Sequence, residues 1–72
     1  MDEAVMVHKA NSIAQFFDAY TEEEAIAGVA NHIQKFWVPD MRRQLHDYIA
    51  NGGQGLRQSV VEAEKQVVTP RP

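Results

Sequence analysis

The chain has 72 residues with a net charge of -3, seven Lys and Arg against ten Asp and Glu, and it contains no Cys. Without cysteine this polypeptide carries no disulfide, thiolate metal site, iron–sulfur ligation or thiol catalysis, and the acidic balance is the wrong sign for a protein whose main ligand is nucleic acid. A hydrophobic content of 44% is that of a folded domain, no apolar run approaches the ~20 residues of a membrane span, and the amino terminus lacks the basic and continuous apolar regions of a secretory signal, so a cytoplasmic single domain is expected.

Apolar residues recur at helical steps along most of the chain. From Val5 to Tyr20 the residues Met6, Ala10, Ile13, Phe17 and Tyr20 form one stripe, flanked by Phe16, with His8, Asn11, Gln15 and Asp18 opposite. Thr21 followed by Glu24 fits a capping box that opens a second helix, and Glu22 and Glu23 suit the positive end of its dipole. Ile26, Val29, Ala30, Ile33, Phe36 and Trp37 share a face of that helix, which ends at about Trp37 because Pro39 forces Val38 out of the helical region.

Proline suits the first turn of a helix, so a third helix is expected from Pro39, with Met41, Leu45, Tyr48 and Ile49 as its stripe and Arg43 paired with Asp47 on the far side. Asn51, Gly52 and Gly53 close it. Leu56, Val60, Ala63 and Val67 suggest a shorter fourth helix, and Thr69 to Pro72 carry no pattern. The expected fold is all-α: a compact bundle of three to four short helices filling residues 1–72, frayed at about 1–4 and 69–72.

Such a chain is marginal on its own. Folding hides about 60% of the extended surface. Apolar burial on the order of 110 kcal/mol is nearly matched by ordering every residue at ~1.5 kcal/mol. A partner protein is one usual remedy.

Few residues point to chemistry. His8, His32 and His46 fall on separate expected helices, with no pair at the four-residue spacing of a metal site, and are read as solvated or capping. The run Glu22 to Glu24 is read as a charged first turn. Gly52, Gly53 and Gly55 make no phosphate loop, since no strand precedes them and no Lys with Ser or Thr follows; Gly55 is assigned to close packing of the next helix.

Recognition-type residues crowd instead at the corner from Lys35 to Arg43, where Phe36, Trp37, Met41, Arg42 and Arg43 combine the aromatic, Met and Arg side chains enriched in interface cores. Phe36 and Met41 are expected in the core, and Trp37 is shared between core and interface. Gly28 costs about 1 kcal/mol inside a helix relative to Ala. It lies beside His32, away from the Ile26 and Ile33 stripe, and so offers a flat face for another backbone.

Four groups of residues together resemble a known family. They are Lys9, Ala10, Asn11, Ile13, Ala14, Phe16 and Phe17; Glu24, Ala25, Ala27, Gly28, Ala30, Asn31 and His32; Lys35, Phe36, Trp37, Pro39, Met41 and Arg42; and Gly52, Gly53, Gly55 and Leu56. The chain resembles the small delta subunit of cytoplasmic NAD-dependent formate dehydrogenases from roughly Val7 to Val68. The Phe-Trp-x-Pro-x-Met-Arg corner followed by Gly-Gly-x-Gly-Leu is the most specific part. Val38 departs from it, standing where an acidic residue is expected before the proline, which puts the side-chain cap of the third helix in question.

The resemblance implies an accessory subunit with no chemistry of its own, in a complex interconverting formate and carbon dioxide. It places the molybdenum or tungsten pterin, iron–sulfur clusters, FMN and NAD on larger catalytic and diaphorase-type subunits. The expected partner interface combines Gly28, His32 and Lys35 with Phe36, Trp37 and Pro39, then Met41, Arg42 and Arg43, and finally Gly53, Gly55 and Leu56. Two alternatives use the same surface: a transient maturation chaperone for the catalytic subunit, and a stand-alone regulator binding a small ligand at the basic corner.

Overall fold

Asp2 starts the first helix. In the computed structural model, which describes residues 1–68, its carboxylate accepts from the backbone N–H of Ala4 at 2.8 Å and of Val5 at 3.3 Å. The helix α1 (Glu3–Phe16) therefore begins two residues ahead of Val5. Within the stretch 1–4, where fraying is expected, the Met1 carbonyl accepts from Gln44 Nε2 at 2.7 Å. The expectation for residues 69–72 lies outside the described residues.

The stripe of α1 does not continue to Tyr20. Phe17, Asp18 and Tyr20 donate three residues back, to Ala14, Gln15 and Phe17, and this tight turn ends the helix at Phe16. The turn lays the Phe17 ring over α2 (Glu22–Phe36), edge-on to Phe16 at 5.0 Å and to Tyr20 at 5.3 Å. Beneath it is Gly28, where a Cβ would stand 2.4 Å from Phe17 Cε1. The flat face that the sequence offered to a partner at Gly28 is occupied by this chain's own ring.

Gly28→Val should therefore cost about 1–3 kcal/mol by overpacking. A melting temperature at or above the wild-type value would show that the Phe17 ring has no structural hold there.

The capping box at the start of α2 is complete: Glu24 N–H donates to Thr21 Oγ1 at 3.2 Å and Thr21 N–H to Glu24 Oε1 at 3.2 Å. At the other end Trp37 and Val38 are extended, and Pro39 opens α3 (Pro39–Ala50) without any side-chain cap from Val38. Gly53, at φ 60°, turns the chain back so that its N–H reaches the Tyr48 carbonyl at 3.0 Å, which closes α3.

The last helix, α4 (Gln58–Glu64), is shorter than the stripe from Leu56 to Val67. Gly55 at φ 86° holds a backbone conformation outside the helical region, and a Cβ there would meet only Val7 at 3.8 Å, so conformation rather than close packing requires the glycine. Asn11, expected on the wet side of α1, fixes this connection: its Nδ2 donates to the Gly55 carbonyl at 2.9 Å and its Oδ1 accepts from Arg57 N–H at 2.9 Å. Arg57 also pairs with Asp18 at 2.6 Å. Beyond Glu64 the chain tightens, with Gln66 and Val67 donating three residues back. Leu56 and Val67 thus pack on the core from outside the helix.

Helices α2 and α4 form the main packing pair, with α1 against both and α3 the least packed of the four. The core runs from Met6, Ala10 and Ala14 through Val29, Ala30 and Ile33 to Trp37, Leu45, Val60, Ala63 and Val67. The radius of gyration, 11.0 Å, matches the roughly 11 Å of a close-packed chain of this length. The structure is the small all-α fold expected, with four helices among the described residues.

Two further side chains depart from their expected places. Phe36 is 70% exposed although the stripe put it in the core; Trp37, at 6%, takes the inward position. Adjacent helical residues diverge by about 100°, so both rings could not face the core centre. Arg43 pairs at 2.8 Å with Asp40, three residues before it in the first turn of α3, rather than with Asp47.

Candidate docking surface

A groove runs along the outer face of α1 and α2. The helices are antiparallel, with Phe17 against Gly28 at one end and Lys9 beside Phe36 at the other. Toward the first end Ser12, Ile13, Phe16, Phe17 and His32 enclose about 350 Å³. Toward the second a hollow of about 490 Å³ is lined by His8, Lys9, Phe36, Trp37 and Met41, with Ser12, Ile13 and His32 common to both.

Two phenylalanines mark the ends. Phe16 is 73% exposed and Phe36 70%, and each stands one helical turn beyond a polar groove residue, Ser12 and His32 respectively. The His32 and Phe36 rings lie 4.8 Å apart, so the imidazole leans on the aromatic face and continues the apolar strip. No carboxylate lines either hollow among the described residues. Lys9 is the cation in the lining; Lys35, exposed and outside the lining, follows His32 by one turn on α2.

Of the residues expected at an interface, Gly28 is covered by Phe17 and Arg43 is paired with Asp40, and the others fall into three places. His32, Phe36, Trp37 and Met41 line the groove, with Lys35 and the exposed Pro39 beside them. Arg42 is turned inward as a clamp: its Nη1 donates to the Trp37 carbonyl at 2.6 Å and its Nε to the Val68 carbonyl at 3.2 Å. Val68 N–H in turn donates to Gln34 Oε1 at 2.7 Å, which ties the end of the described chain to α2. Gly53, Gly55 and Leu56 lie at the α3–α4 connection, reached from α1 through Val7 and Asn11 and so apart from the groove.

Sequence reasoning missed the α1 wall, made by Lys9, Ser12, Ile13 and Phe16. The available signal was the pair of aromatic residues set just off their stripes, Phe16 beside Phe17 and Phe36 beside Trp37. It also missed the contact of His46 with Glu64. Glu64 is 8% exposed, and its Oε1 accepts from His46 Nδ1 at 2.7 Å across α3 and α4, which supplies a partner for a carboxylate that burial would otherwise penalise.

Among the described residues no three His, Cys, Asp or Glu converge as a metal site, and no helix is long and apolar enough to cross a membrane. With no Cys in the chain, its residues do not fit an iron–sulfur cluster.

Comparison with curated proteins and with solved structures gave no match. A family model, described as NADH-dependant formate dehydrogenase delta subunit FdsD, matches residues 6–63. The matched stretch starts at the first buried side chain of α1 and ends in the last turn of α4. It takes in the capping box, the Trp37 corner and both walls of the groove. With most of its length and the greater part of all four helices so matched, the chain belongs to the formate dehydrogenase delta subunit family.

Proposed function

We propose that this chain is a non-catalytic subunit of a cytoplasmic formate dehydrogenase. It docks on the larger catalytic and diaphorase-type subunits and stabilises or helps assemble the complex that interconverts formate and carbon dioxide with NAD. The observation that carries the reading is the groove between α1 and α2, where two phenylalanines stand about three-quarters and seven-tenths exposed, at 73% and 70%. Large side chains left in water at the ends of an apolar groove mark a surface that another protein covers. In this reading the pterin metal, the clusters and FMN reside on the other subunits; for the clusters the support is that a chain without Cys has no thiolate to ligate them.

Purifying the enzyme through a tag on its catalytic subunit tests the proposal. The delta chain should be present in fixed stoichiometry, and its deletion should lower the yield of intact complex while leaving the turnover of each cofactor-loaded catalytic subunit unchanged. Absence of the chain from the complex, together with normal assembly in the deletion strain, would contradict the proposal. Recovery only with cofactor-free enzyme would make the chain a transient assembly factor.

A further inference from the structure

We infer that the α1–α2 groove receives a helix of a larger formate dehydrogenase subunit, one whose apolar stripe is flanked by carboxylates. The inference rests on the subunit reading above and deepens it by assigning the face and the chemistry of what covers it. A trough between two antiparallel helices is shaped for a third, which lays its apolar stripe between the walls. From Lys9 to Phe16 the wall advances seven residue steps, about 10 Å at 1.5 Å per step, or two turns of a partner helix. Such a helix presents apolar residues at i, i+3 or i+4, and i+7, which matches a strip running from Phe16 over Ile13 and His32 to Phe36.

Charge sets the flanks. The chain is acidic overall, at -3, yet the groove has Lys9 in its lining, Lys35 beside it and no carboxylate in its walls among the described residues. The nearby Asp40 is already paired with Arg43 at 2.8 Å. A partner with Asp or Glu beside its stripe meets these ammonium groups favourably.

The same rim argues against a second copy of this chain. A two-fold contact through one patch brings that patch against itself, and here it would bring the basic rims of both copies together.

The test uses the whole complex, pulled down through the tagged catalytic subunit, with the delta chain carrying Phe16→Ser with Phe36→Ser, or Lys9→Glu with Lys35→Glu. Lys65→Glu, on the exposed face beyond α4, is the control. Each groove pair should reduce the co-purified delta chain at least tenfold, and the control should leave it at the wild-type level.

Wild-type retention of both groove pairs would overturn the inference and leave the subunit reading standing. Failure of the unaltered chain to co-purify would sink both. Loss with the phenylalanine pair but full retention with the lysine pair would overturn the acidic partner. Groove-dependent dimers of the free chain, with no change in the pull-down, would replace the helix by a second copy. All four substituted side chains are exposed, so the variants should keep wild-type helicity by circular dichroism. If the phenylalanine pair loses helicity, the lysine pair decides.

Discussion

Trp37→Ala should abolish the helical fold of the isolated chain. The indole is 6% exposed and packs in the core although its backbone has already left α2. The Trp37 backbone N–H donates to the Ile33 carbonyl at 3.0 Å and the Trp37 carbonyl receives Arg42 Nη1 at 2.6 Å, so the ring sits on a fixed corner that cannot move inward to fill the space. Truncating a buried Trp costs about 3–5 kcal/mol, as much as a domain of this size can supply in total, about 3–5 kcal/mol. Far-UV circular dichroism of the variant should approach that of a coil. Retained helicity with loss of co-purification would instead assign the indole to the subunit interface.

Leu45→Ala should act more locally and nearly as strongly. Leu45, at 0% exposure, is the buried side chain of α3, while Met41, Tyr48 and Ile49 are half-buried around it. Removing it costs about 2–5 kcal/mol, depending on how far the site collapses. Because α3 is the helix least packed against the other three, its amides should lose protection from hydrogen exchange before those of α1 and α2. The contact of His46 with Glu64 should be lost with them. Equal loss of protection across all four helices would contradict this and make α3 part of one cooperative unit.

Local chemistry was legible in the chain. The Thr21 and Glu24 capping box, the break at Val38 before Pro39 and the stop at Gly52 and Gly53 each depend on backbone groups a few residues away. They appear in the structure as read. So does most of the core, because residues such as Met6, Ala10, Val29, Ile33 and Leu45 lie at the centre of their stripes.

Residues at the edge of a stripe were not legible in the same way. Phe36 and Trp37 compete for one inward position, and which of them wins depends on how α3 leaves the corner. The ends of α1 and α4 are set by Phe17 turning onto Gly28 and by Asn11 gripping the Gly55 connection, contacts that join distant parts of the chain. The groove needed the same knowledge. The Phe36 and Trp37 end of its α2 wall lay within the corner singled out for recognition, whereas its α1 wall becomes visible only when the two helices are set antiparallel.

Radical footprinting of Phe16 and Phe36, in the free chain and in the purified formate dehydrogenase, measures the docking of this subunit most directly. Both rings should label strongly in the free chain and be protected in the complex. Equal labelling of both rings in the free and the assembled states, with the delta chain present in stoichiometric amount, would contradict the account.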